Sequence, residues 1–135
     1  MLKVSTKSQY GLRAMVYLAR YREKICPLKL ISEKEGISFD YLEKIISKLE
    51  KTGLVKSKKG VQGGYSLGRQ ASRIKIGEII RALEGNTPLV KCMAGDKRYR
   101  CPLEKKCLTK SFWGKIQKSL NSALNSITLA DLINR

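Results

Sequence analysis

At 135 residues the chain fits one domain with an appended arm, and a second full domain is not expected. Its 28 Lys and Arg against 11 Asp and Glu leave a formal net charge of +17, which points to a polyanionic partner, nucleic acid before an acidic membrane surface. No run approaches the ~18 apolar residues of a membrane span, and MLKVSTKSQYGLR lacks a signal peptide's apolar region and cleavage site, so a cytoplasmic location with reduced thiols is expected.

Between Ser5 and Arg22, Tyr10, Ala14, Tyr17, Leu18 and Tyr21 recur at helical spacing and predict a first amphipathic helix. Pro27 interrupts. LKLISEKEG then predicts a short second helix closed by Gly36, a residue suited to the left-handed conformation of many helix stops. Ser38 is a good N-cap for a third helix from about Phe39 to just before Gly53, with Ile37 and Leu42 at the spacing of a hydrophobic staple. The EGIS junction makes these two helices a helix-turn-helix candidate. Its second helix would bury Tyr41, Leu42, Ile45, Ile46 and Leu49 and leave Asp40, Glu43, Lys44, Ser47, Lys48 and Lys51 for a groove.

GLVKSKKGVQGGYSLGR predicts a strand from Leu54 to about Lys58, a glycine-bearing turn and a returning strand around Tyr65 to Leu67. This is a wing, and Lys56, Lys58, Lys59 and Arg69 set cations around it, where they could meet phosphates or enter a minor groove. GVQGG matches neither a P-loop nor a dinucleotide fingerprint. A further helix runs from about Ile76 to Leu83 and stops at Gly85. Beyond a cysteine-bearing loop, Leu108, Phe112, Ile116, Leu120, Leu124 and Ile127 keep one apolar strip along a helix of about 19 residues, roughly 28 Å. That strip either folds back on the core or meets a second copy of the chain. Thr128 and Asp131 have the spacing of a capping box that opens a last short helix.

This order of parts resembles the Rrf-two family of dimeric winged-helix transcriptional regulators, above all its iron–sulfur cluster regulators. The resemblance is carried by STKSQYGLRAM (5–15), EGISFDYLEKIISKLEKTGLV (35–55), GGYSLGR (63–69), IGEIIRALEG (76–85), and CLTKSFW and NSITLADL toward the end, so it covers essentially the whole chain. It implies a mainly α fold with a small β-wing. Residues 1–85 would form the winged helix-turn-helix DNA-binding domain, 86–107 a cysteine-containing cluster loop, and 108–135 a dimerisation helix with a short C-terminal helix. The implied function is a non-enzymatic homodimer that binds double-stranded operator DNA and senses iron–sulfur cluster, iron, redox or nitric oxide status. It implies no membrane partner and no small-molecule substrate.

The expected DNA-binding residues are Ser38, Asp40, Tyr41, Glu43, Lys44, Ser47 and Lys48 on the third helix and Lys56, Lys58, Lys59 and Gln62 on the wing. Glu43 matches the family's base-reading glutamate, and a carboxylate can accept from cytosine N4. Lys59 occupies the place of a wing arginine, keeping its charge without the planar fork.

Cys92, Cys101 and Cys107 form C-x8-C-x5-C in a chain that has no histidine. Spacing alone allows three reduced thiolates to converge on one soft metal centre; the resemblance implies an iron–sulfur cluster, 2Fe–2S rather than 4Fe–4S. Zinc, a thiol–disulfide switch, a loop without a cofactor and a cluster-carrying redox protein stand as alternatives. The resemblance also exposes a missing ligand. Iron–sulfur members place a histidine three residues after the last cysteine, where this chain has Lys110, and other members use a carboxylate from the partner's first helix, where this chain has Gln9. Asp96 and Glu104 are the nearest oxygen donors in sequence, with Asp40 and Glu43 reachable only if the fold brings them close. Cys26 reads as a buried small hydrophobe. Lys91, Lys97, Lys105, Lys106 and Lys110, with Arg98 and Arg100, would favour thiolates and offset a cluster's negative charge.

Overall fold

The computed structural model describes residues 3–86, 88–93, 98 and 100–134. Helix α1 (Thr6–Arg20) starts where the Ser5 hydroxyl accepts the Ser8 amide, a side-chain cap that satisfies one of the first-turn donors. Its core face is Ala14, Met15, Leu18 and Ala19. Tyr21, expected on the apolar stripe, lies past the helix end and is exposed, with its ring 4.7 Å from that of Tyr17, an arrangement that keeps the phenol wet.

Helix α2 (Leu28–Glu35) closes on Gly36 at φ 65, a left-handed stop that suits glycine. Helix α3 (Phe39–Lys51) begins at once, with the Ser38 hydroxyl accepting the Tyr41 amide at 3.3 Å. The expected staple residues Ile37 and Leu42 are both buried, and Leu42, Ile45, Ile46 and Leu49 make the buried face of α3. Tyr41 differs from expectation. It sits at the margin of the 3.6-residue stripe, 37% exposed, and meets Tyr10 edge to face at 5.8 Å.

The wing is an antiparallel pair, β1 (Val55–Lys58) and β2 (Gly64–Leu67), in the register Val55↔Leu67 and Lys58↔Gly64. Its base is fastened to the α1–α2 connection, where Cys26 and Tyr65 form an isolated bridge. Glycine is required there, because a Cβ on Gly64 would stand 2.5 Å from the Cys26 carbonyl oxygen. Helix α4 (Ile76–Glu84) sends Ile79 and Leu83 into the core and opens on the Lys75 amide donating to the Glu78 carboxylate at 2.9 Å.

Helix α5 (Lys110–Ser126) buries no residue. Along its expected apolar strip Leu108 is 93% and Phe112 52% exposed, and the helix touches the domain through α4, where Asn125 meets Arg81. Helix α6 (Leu129–Ile133) is capped as expected: the Asp131 amide donates to the Thr128 hydroxyl and the Thr128 amide to the Asp131 carboxylate. It returns to the winged-helix core. Leu129 is 0% exposed, its amide donates to the Ile74 carbonyl, and α6 packs on α1. Among the described residues no helix is long and apolar enough to cross a membrane.

Candidate functional site

The outer side of α3 presents Asp40, Tyr41, Glu43, Lys44, Ser47 and Lys51, all exposed, beside the capping Ser38. Lys48 takes another direction. Its ammonium donates to the Leu83 carbonyl at 3.5 Å, at the C-terminal end of α4, where the helix dipole favours a cation. Of the cations expected around the wing, Lys56, Lys58 and Lys59 stay exposed and make no ion pair among the described residues, whereas Arg69 pairs with Glu78 at 2.9 Å. Arg69 therefore clamps the wing to α4 rather than arming its tip. The Lys75 amide first, and then Arg69, hold the Glu78 carboxyl below the ordinary carboxylate value. At the tip, Gln62 and a fully exposed Val61 stand together. Sequence reasoning passed over Val61. The signal was present, since an apolar residue inside a glycine turn has no core to enter.

Lys44, Lys51, Lys56, Lys58 and Lys59, none of them in an ion pair among the described residues, thus outnumber the exposed Asp40 and Glu43 carboxylates on the third helix and wing, the electrostatic footprint of a phosphate-binding face. A larger open groove of about 890 Å³ lies along the outer side of the hairpin, lined by Arg22, Glu23, Lys24, Lys56 and Arg69 among others, and holds no thiol.

Cys92 is exposed in a short turn (Lys91–Met93), Cys101 and Cys107 are half-buried, and all three are free thiols. They line one small pocket of about 40 Å³ together with Glu104 and Lys110. Two overlapping turns shape its wall, with the Glu104 amide donating to the Cys101 carbonyl at 3.1 Å and the Lys106 amide to the Leu103 carbonyl at 2.9 Å. Cys107 closes the loop at the start of α5, its sulfur 3.3 Å from the Thr109 hydroxyl. The Thr109 hydroxyl and amide, then the Lys110 amide and ammonium, hold the Cys107 thiol below its ordinary value. Upstream, the Leu89 amide donates to the Gln117 side chain at 2.9 Å, tying the entry of the loop to α5.

Among the described residues no three His, Cys, Asp or Glu side chains approach closely enough to hold a metal ion, so the thiols share an opening without converging on one point. The donor set itself, three soft thiolates and a carboxylate, suits iron–sulfur chemistry. Asp96 and Lys97 lie outside the described residues. Asp40 and Glu43 do not line the pocket, and neither does Gln9, whose amide donates to the Val4 carbonyl at 3.1 Å. Cys26 is buried under the wing, away from this pocket, and burial pushes its thiol up.

Residues 4–135 match the Rrf2 family, described as an iron-dependent transcriptional regulator. The chain belongs to the Rrf2 family. It is 37% identical to the HTH-type transcriptional regulator IscR of Yersinia pestis over 134 residues, covering 98% of this chain and 80% of that one. Against IscR of Vibrio atlanticus the identity is 40% over 133 residues, with 98% and 75% covered. Among solved structures it is similar to T. potens IscR, with 45% identity and a TM-score of 0.79 over 98% of this chain and 87% of that one. It is also similar to CymR, the global cysteine regulator of B. subtilis, with 39% identity and a TM-score of 0.78 over 98% and 96%.

As an Rrf2 protein the chain is a DNA-binding transcriptional regulator and not an enzyme. Its mainly helical fold with a two-stranded wing is that of the Rrf2 winged-helix regulators.

Proposed function

We propose that the chain is a homodimeric, cytoplasmic operator-binding regulator whose DNA affinity follows the state of an iron–sulfur cluster held by Cys92, Cys101 and Cys107. The observation that carries this reading is that three thiols, one in the Lys91–Met93 turn and two flanking the 102–106 turns, line one pocket at the N-terminal end of α5. In this reading residues 1–85 read DNA, 86–107 hold the cluster, and 108–135 join two copies, with α6 tying the arm back to the core. Glu43, Lys44 and Ser47 would face bases and phosphates in a major groove, and Lys56, Lys58, Lys59 and Gln62 the adjacent backbone or minor groove.

When bound, a 2Fe–2S cluster would supply iron that links the Cys92, Cys101 and Cys107 thiolates to one another, and a centre sensitive to iron supply and oxidation. The chain's own part is mechanical. Cys107 stands three residues before α5, and the Leu89–Gln117 hydrogen bond fixes the other end of the loop to the same helix. Drawing the three thiols together would therefore bias α5, and α5 would set the spacing of two reading heads in a dimer. The exposed Phe112 and Leu120 supply an apolar strip that a second α5 can cover.

Anaerobic reconstitution with iron and sulfide, followed by iron and sulfide counts and operator titrations of cluster-loaded and cluster-free protein, tests the reading. The expected result is a coloured, iron-loaded protein whose operator affinity differs about 5-fold or more from that of the cluster-free form, the lower end of common coupling energies. Protein that takes up no iron sinks the cluster and leaves the DNA-binding regulator standing, with zinc content and thiol oxidation as the next measurements. Equal affinities in both forms remove the sensor role.

A further inference from the structure

Resting on the reading that Cys92, Cys101 and Cys107 hold an iron–sulfur cluster, we propose that Glu104 of the same chain supplies the fourth ligand. Beyond the three thiols, the pocket is lined among the described residues by Glu104 and Lys110. A protonated lysine carries three donors and no lone pair, and its charge is repelled by ferric iron. Glu104 has the opposite properties. Its carboxylate carries four lone-pair sites and a negative charge, and oxygen is an ordinary ligand for iron.

Local backbone explains how Glu104 reaches the pocket. The Glu104 amide donates to the Cys101 carbonyl, and this turn sets residues three apart on the same pocket wall. The carboxylate is also uncommitted: neither a hydrogen bond nor an ion pair occupies it among the described residues, although Lys105 and Lys106 follow it directly. Gln9 is a weaker candidate. Its amide is neutral, and its nitrogen already donates to the Val4 carbonyl.

Charge supports the assignment. An oxidised 2Fe–2S unit with three thiolates and one carboxylate has a net charge of about −2, from two ferric ions, two sulfides and four anionic ligands. Lys110 in the pocket wall then acts as a counter-cation. Lys110 offsets the charge of the cluster, and the residue six positions before it binds iron. One iron would carry a mixed sulfur and oxygen set, and its carboxylate would leave on protonation or displacement more readily than a thiolate.

Full-length wild type, Glu104→Gln and Glu104→Cys are reconstituted anaerobically with ferrous iron and sulfide and compared by Mössbauer and absorption spectra and by the rate of iron loss to a chelator. Glu104→Gln should lose iron at least about ten-fold faster, since losing even an outer-shell partner costs 10–100-fold in metal affinity, and should shift the Mössbauer parameters of one iron site. Glu104→Cys should restore slow loss with an all-thiolate spectrum. Wild-type spectra and loss rates retained in Glu104→Gln overturn the assignment while leaving the three-cysteine cluster intact. A wild type that binds no iron overturns both.

Discussion

Cys26 and Tyr65 exchange both main-chain hydrogen bonds, the Cys26 amide donating to the Tyr65 carbonyl at 2.9 Å and the Tyr65 amide to the Cys26 carbonyl at 2.8 Å. The wing is therefore not a free hairpin, which alone would be marginal in water. It is held against the segment that leads into α2, so the base of the wing is fastened to the helical core.

Gly64 makes that bridge possible, because a methyl group there would lie 2.5 Å from the Cys26 carbonyl oxygen and 2.8 Å from the Pro27 nitrogen. Both obstacles are backbone and cannot rotate away. Gly64→Ala should destabilise the protein by about 2 kcal/mol, in the range for overpacking, and lower the melting temperature by several degrees. Calorimetry checks this; an unchanged melting point would mean that the bridge is dispensable.

Lys44 and Lys48 lie one turn apart on α3 in different surroundings, Lys44 exposed and Lys48 hydrogen-bonded to the Leu83 carbonyl. Lys48→Met removes the donor to the Leu83 carbonyl and should cost about 0.5–1.5 kcal/mol of stability. Lys44→Met should leave stability within about 0.5 kcal/mol, as for an ordinary surface change. It should weaken DNA binding and lower the slope of log affinity against log salt by about 1. Urea melts and titrations at several salt concentrations separate the two, and interchanged effects would contradict the assignment.

On α5, Leu120 is exposed within the strip assigned to a second copy. Leu120→Asp would bury a charge in that interface, which is tolerated only with a partner. Sedimentation should show dimers for the wild type and monomers for the variant, with operator affinity reduced at least about ten-fold as the half-sites uncouple. A variant that stays dimeric would place the interface elsewhere.

Glu84 accepts hydroxyl hydrogen bonds from Ser5 and from Ser8, the latter at 2.7 Å, and lies 3.9 Å from the Lys7 ammonium. The Ser5 hydroxyl first, then that of Ser8, hold its carboxyl below the ordinary value. Between the folded and unfolded pKa values the unfolded state binds more protons. The contribution to stability is thus complete above the unfolded value, about 4.3, and is lost as pH falls through the lower folded one. Denaturant melts from pH 7 to pH 3 should show a flatter acid limb for Glu84→Gln. Parallel limbs would mean that Ser5 and Ser8 do not stabilise the ionised form.

Much of this architecture is legible along the chain because capping acts within about four residues. Ser38 before Phe39, Gly36 after Glu35 and Thr128 before Leu129 mark helix ends where the structure has them. The glycines of GGYSLGR signalled a turn, whereas the carbonyl that Gly64 must accommodate belongs to Cys26, far away in sequence. Surface cations were harder to assign. Lys48 and Arg69 look like any basic residue on a DNA-reading module, and their partners, Leu83 and Glu78, become neighbours only when α4 packs against the reading head.

By itself, the sequence determined the basic charge, the helix-turn-helix with its wing, the family and the set of three thiols, all of which rest on composition and short-range pattern. Only the tertiary structure decided that Tyr41 leaves the buried stripe, that α6 returns to the core, and that Glu104 shares a pocket with the cysteines while Asp40 and Glu43 do not. Periodicity states which face of a helix is apolar, but a side chain's partner depends on how separate elements pack, and that is a property of the whole fold.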